Sequence, residues 1–177
     1  MSPTPPPPAA EPPALSLDQL MAAPVMLGGQ TVPGTGSMTL GDLELDVLKG
    51  GRFVTFAWNV SVVVLSFRNS TKLLYVPSHG KTGGHALGWG VLSLLFGWWG
   101  FPWGLIYTPM SLWQNASGGA DHTHAVLAAL LGDEHAAEIM RQTRPRKPDA
   151  MLRALRGLLL AFAALIAWGL FSLFTAV

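Results

Sequence analysis

Three imidazoles and several carboxylates lie close together along the chain, in Asp121-His122-Thr123-His124 and in Asp133-Glu134-His135 with Glu138 beyond. Such groups hold zinc or iron when folding gathers three of them around one point. Their spacing argues against it. His122 and His124 are two positions apart, which on a helix turns them to different faces, whereas a helical pair of ligands needs a separation of four. A metal or proton site built from His122, His124, His135 and Glu138 is therefore the weaker reading. The stronger is capping: Asp121 opens a helix at Ala125-Val126-Leu127, Gly132 ends it, and Asp133 caps the next.

Other reactive patterns fail in similar ways. Gly80-Lys81-Thr82 has the end of a phosphate-binding loop, but position 75 is Tyr where the upstream glycine would stand, and no buried parallel strand precedes it. No Gly-x-Ser-x-Gly elbow occurs. The absence of Cys excludes disulfides, thiolate metal sites and a Cys nucleophile. The residues call for no catalytic centre, no cofactor and no nucleic-acid partner.

Composition points elsewhere. Half the residues are hydrophobic and 12% are charged, about half the charged share of an ordinary soluble domain. Charge is also sorted along the chain. Glu11, Asp18, Asp42, Glu44 and Asp46 precede any base, whereas Arg141, Arg144, Arg146, Lys147, Arg153 and Arg156 cluster late. Between Lys81 and Asp121 thirty-nine residues carry no Asp, Glu, Lys or Arg. The lone reactive side chain within them is His85.

Five segments follow. Residues 1–37 are a proline-rich tail, without a visible export signal, and a loop over Pro24–Ser37; Ser16-Leu17-Asp18-Gln19 has capping-box spacing for a short helix. Residues 38–81 begin with a second box, Thr39 to Asp42, and an amphipathic helix over Leu40, Leu43 and Val47 that Gly50-Gly51 stop. From Arg52 to Phe67 strand and helix periodicities both fit. Their β-branched content favours strand, with a polar turn at Arg68–Thr71 and a return over Lys72–Val76, giving a β-hairpin over about 52–77. Residues 82–120 are the tryptophan-rich block, and 121–156 a helical linker with a basic end. Residues 157–177 are uncharged and long enough, at roughly 31 Å, to match the ~30 Å hydrocarbon layer.

Within the block Gly97, Gly100, Pro102 and Gly104 concentrate helix breakers at the centre. Two readings follow: one kinked crossing, or two half-length helices that enter and leave on one face. The second keeps Arg68, Lys72 and Lys81 on the same side as the late bases, so charge placement favours it. Trp89 and Trp113 would mark the entry surface, with Trp98, Trp99 and Trp103 at the far interface or buried. The turn needs shelter, from the terminal helix or a second copy. The six late bases would contact anionic lipid headgroups.

Gly51-Arg52-Phe53-Val54, Gly97-Trp98-Trp99-Gly100-Phe101-Pro102-Trp103-Gly104-Leu105-Ile106-Tyr107-Thr108 and Gly118-Gly119-Ala120-Asp121 resemble a family of uncharacterised bacterial membrane proteins with a GWWG-x-PWG-x-IYT core. The likeness covers about residues 50–125, and Leu105 replaces a Pro common in the family. It implies membrane residence and a bacterial source, and no activity. The expectation is a mainly α membrane protein of the bacterial inner membrane, its bulk in the cytoplasm. It would serve as a non-enzymatic interaction or scaffold protein, self-associating or bound to a membrane protein. Alternatives are a small transport or channel subunit using the broken helix near Gly100–Gly104, and a membrane metalloenzyme.

Overall fold

The computed structural model describes residues 16–62, 65–100 and 102–175, so the proline-rich tail over 1–14, Phe101 and the last two residues of the expected span lie outside the described residues. Ser16 and Thr39 each open a helix through a reciprocal capping box, α1 (Leu17–Met21) and α2 (Leu40–Leu48). Between them, where a loop was expected, β1 (Met26–Leu27) and β2 (Gln30–Thr31) pair across Gly28-Gly29. Both glycines have positive φ, as a tight two-residue hairpin turn requires.

Strand wins over helix beyond Gly51, in two pieces: β3 (Arg52–Thr55) and β4 (Ala57–Val62). The return is likewise split into β5 (Leu65–Ser70) and β6 (Leu74–Val76), with Val60 opposite Phe67 and Arg52 opposite Val76. The expected hairpin is therefore present, with Val62 opposite Leu65 as the last pair of its ribbon. The Arg68–Thr71 turn is overturned, because Arg68, Asn69 and Ser70 are paired strand residues opposite Asn59, Trp58 and Ala57.

Two helices follow, α3 (Gly83–Phe96) and α4 (Trp103–Ala116), broken between Gly97 and Pro102 as the glycines and proline demand. β7 (Ala120–Asp121) then joins β3, giving the antiparallel order β6-β3-β7. α5 (Thr123–Leu131) and α6 (Asp133–Gln142) meet at Gly132. Their caps differ from expectation. Asp121 bonds the Thr123 amide and hydroxyl from just outside α5, and Asp133 is the first residue of α6, adding charge to its first turn rather than a capping bond. α7 (Ala150–Thr175) starts seven residues before the expected span, and takes Arg153 and Arg156 into its first turns. Among the described residues it is the one helix long and apolar enough to cross a membrane. The fold is thus a mixture of helices and strands with one long apolar helix.

The first core is conventional. Leu40, Leu43 and Val47 from α2 meet Phe53, Tyr75, Val126, Leu127 and Ile139, all buried. Each such side chain contributes roughly 1.5–3 kcal/mol. At its edge Asp46 accepts hydrogen bonds from the Tyr75 hydroxyl (2.6 Å), the Ser78 amide (3.0 Å) and the Ser78 hydroxyl (2.5 Å). Burial opposes ionisation of Asp46, yet the bonds from Ser78 and Tyr75 outweigh it and hold the carboxyl below its ordinary range. Burial and then Asp46 push the Tyr75 hydroxyl well above its own. Asp149 behaves alike: burial is outweighed by the amides of Leu152, Gly83 and Thr82.

Both carboxyls titrate lower in the folded chain than in the unfolded one, so the stability they give is complete above 3.8 and fades as pH falls through the depressed folded values. Thermal unfolding followed by circular dichroism should show the midpoint dropping below that pH, with a shallower drop in Asp46→Asn. An equal drop in that variant would show that Asp46 plays no part.

Candidate functional site

β4, β5, α3 and α4 form a unit whose polarity is reversed relative to the first core. Its interior is lined by Asn59, Ser61, Ser93, Thr108, Ser111 and Asn115, all buried. Its outside carries Val62, Leu65 and Phe67 on the ribbon, Leu94, Leu95 and Phe96 on α3, and Leu105, Ile106, Met110 and Trp113 on α4, all exposed. The helical spacing of Thr108, Ser111 and Asn115 puts them on one side of α4, as Gly90, Ser93 and Gly97 share one side of α3.

These side chains replace a missing strand. β4 pairs with β5 on one edge only. At the other edge Asn115 accepts from the Ala57 amide (2.9 Å) and donates to the Ala57 carbonyl (2.7 Å), as a neighbouring strand would. Farther along, the Asn59 amide donates to the Ser93 hydroxyl (3.1 Å), which itself donates to the Trp89 carbonyl (3.0 Å). The Asn59 side chain donates to the Thr108 hydroxyl (3.1 Å). At the far end the Ser61 hydroxyl donates to the Gly97 carbonyl (2.7 Å). Three levels therefore tie ribbon to helices, from Ala57 at the base to Ser61 at the tip.

The approach is close enough to exclude side chains. A Cβ on Gly97 would meet the Thr108 hydroxyl and the Ser93 carbonyl, and one on Gly104 the Gly97 carbonyl. Gly100 faces Ser61 and Ser66 in the same way. The break in the helical hairpin is thus sheltered by the ribbon of the same chain. That corrects the expectation of a terminal helix or second copy in that role. α7 holds the opposite end instead: Asp149 accepts from the Thr82 and Gly83 amides, and Arg156 donates to the Ala116 carbonyl (2.8 Å). The amides of Thr82 and Gly83 at the start of α3 are thereby taken by a carboxylate, which disfavours a phosphate after Gly80-Lys81.

The tryptophans separate by depth. Trp99 is 71% exposed and Trp103 half exposed at the tip, so neither is buried by the described residues of its own chain. The Trp99 indole donates to the Leu95 carbonyl (2.9 Å) and Trp103 stacks on Tyr107. Trp98 is half-buried and Pro102 exposed. Trp113 is exposed near the base, but Trp89 packs beside Val54, Phe56 and Ala86 rather than facing outward. His85 stacks on Phe56.

The four metal candidates do not converge. His122 contacts the Thr55 hydroxyl, His124 lies near Asp133, His135 near Glu44, and Glu138 binds Arg141 and Gln142. Among the described residues no group of three possible ligands meets. The basic cluster is also less free than its sequence suggests. Arg141 is paired with Glu138, Arg146 donates to the carbonyls of Val76, Pro77 and Gly80, and Arg156 holds Ala116. Arg144, Lys147 and Arg153 are exposed. Comparisons with family models, with curated proteins and with solved structures give no match for this chain.

Sequence reasoning missed Asn59, Ser61, Ser93, Thr108 and Asn115 as a set. Their signal was present, as polar residues at strand spacing in one run and at helical spacing in two others. Removing Asn115 should unpair both backbone groups of Ala57, at roughly 1–3 kcal/mol each. Asn115→Ala should therefore unfold much earlier in a denaturant titration of the purified protein, while Gln114→Ala, which loses only a contact with Arg68, should barely move. Equal behaviour of the two would refute the edge-capping role.

Proposed function

We propose that the chain is an integral protein of a bacterial inner membrane that works by recognition within lipid rather than by catalysis. The supporting observation is the reversal of polarity within one molecule. α2, α5 and α6 bury apolar residues, as water requires, whereas β4, α3 and α4 bury Asn, Ser and Thr alongside Ala57, Ala86, Leu112 and Ala116, and with β5 expose Trp, Leu, Ile and Phe. An exposed apolar surface of that extent is stable against lipid or a protein partner. Side-chain bonding along the β4 edge fits the same setting, since hydrocarbon offers backbone groups no water.

In this reading the hairpin re-enters. Each helix has fourteen residues, about 21 Å, short of the ~30 Å hydrocarbon layer. The apolar part of the ribbon, Val60 to Val62 and Leu65 to Phe67, goes in with it and leaves Arg68 at the cytoplasmic boundary, so the cytoplasmic portion is confined to the first core, the ribbon's base and the basic loops. α7 is the span, with Arg144, Lys147 and Arg153 at its headgroup end. The likeness of Gly97–Thr108 to bacterial membrane proteins agrees. The exposed Trp99, Trp103 and Leu105 would then bind another membrane protein or a second copy, as a scaffold does.

A transport role draws support from the same polar line, where Asn59 Oδ1 and Ser111 Oγ are buried without partners among the described residues. Ion flux through liposomes containing the purified protein would favour it.

The chain's lack of cysteine makes topology measurable without background. Single replacements Leu94→Cys and Ile106→Cys should resist a water-soluble maleimide in vesicles and react after detergent denaturation, while Lys81→Cys, at an exposed position, reacts at once. Rapid labelling at Leu94 and Ile106 in intact vesicles would overturn the membrane placement. Alanine at Trp99 and Trp103 should disperse detergent-stable complexes, and unchanged complexes would count against the scaffold role.

A further inference from the structure

Where β3 begins, Arg52, Arg144 and Arg146 line one cleft of about 210 Å³. Asp121 is the single carboxylate in its wall. One oxygen of Asp121 is taken by the Thr123 amide (2.9 Å) and hydroxyl (2.5 Å), and the other lies 3.8 Å from Arg52, too far for a hydrogen bond. Arg52 is thus left with a buried Nε that has no partner among the described residues.

The other two arginines are held in place by different means. Arg146 is fixed by the carbonyls of Val76, Pro77 and Gly80. Arg144 is anchored through its backbone, whose amide donates to the Leu48 carbonyl (3.1 Å), while its guanidinium bonds no described residue. Burial and then the charge of Arg52 both lower the proton affinity of Arg146, so the two guanidiniums feel each other. Asp46 and Asp149 ease this only in part, and their oxygens are spent on Tyr75, Ser78, Thr82, Gly83 and Leu152.

Three cations around a cleft with one committed acid cost free energy unless an anion occupies it. Guanidinium forks match the oxygens of phosphate in pairs. The volume suits a phosphate carrying a short polyol and falls below the range of sites for larger ligands. We infer that this cleft binds a phosphate group, presented either by a phospholipid headgroup or by a small soluble phosphate ester. The site does not depend on where the helical hairpin lies, and its failure would leave the membrane placement untouched.

The test titrates the full chain in neutral detergent with inorganic phosphate and with sn-glycerol 3-phosphate by calorimetry. Phosphatidylglycerol and phosphatidylcholine adducts are compared by native mass spectrometry. Arg144→Gln removes one guanidinium while keeping its backbone anchor, and Arg141→Gln, outside the cleft, is the control. Saturable binding of the soluble probes, weakened about tenfold by Arg144→Gln and unchanged by Arg141→Gln, assigns a soluble ester. Phosphatidylglycerol adducts lost in Arg144→Gln alone, with no response to soluble probes, assign a headgroup. Equal binding by wild type and Arg144→Gln, or saturable binding of no probe, overturns the site.

Discussion

The free edge of β4 is the constraint around which the second half of the molecule is arranged. A strand with an open edge must find water, another strand or a substitute. Here the Asn115 amide is the substitute, matching the Ala57 amide and carbonyl with its own oxygen and nitrogen. Ser93 does the same for Asn59 with one hydroxyl. For these groups to reach, α3 and α4 must lie close against the ribbon. Hence glycine at Gly97, Gly100 and Gly104, where a methyl group would strike backbone or hydroxyl. The aromatic motif is read most easily as tryptophans, but its glycines are what the geometry cannot spare.

Local features were legible because their causes are local. The capping boxes at Ser16 and Thr39, the stop at Gly50 and the break around Gly97–Pro102 depend on neighbours within a few residues. Strand at Val54–Val62 was legible too, from β-branched alternation. The reversal was not. Arg68-Asn69-Ser70 has the composition of a turn, yet it forms the second half of β5, where Arg68 reaches Gln114 on α4. The rule that polar residues mark turns assumes that loops face water, and at this ribbon's tip the exposed residues are Val62 and Leu65.

The candidate site was half legible for the same reason. Exposed tryptophans could be counted from the sequence, but which polar residues face inward could not, because hydrophobic patterning assigns them to the outside by default. Arg146 and Arg156 show the converse error. A basic run suggests a solvated face, whereas folding draws these two inward to satisfy carbonyls at Pro77, Gly80 and Ala116. Arginine suits that work, since its charge survives burial and its fork reaches several acceptors.

The attachment of α7 combines these themes. α3 begins and α4 ends at the same end of the hairpin, so a partial positive pole and a partial negative pole sit side by side there. Asp149 sits on the first and Arg156 on the second. The two contacts lie seven residues apart, nearly two turns, so they share one flank of α7 and its approach. Turning α7 about its axis by a single residue's step would swing both charges off their poles. The terminal helix is in effect keyed to the hairpin, so any rotation of it would have to break both contacts or carry the base of α3 and α4 with it.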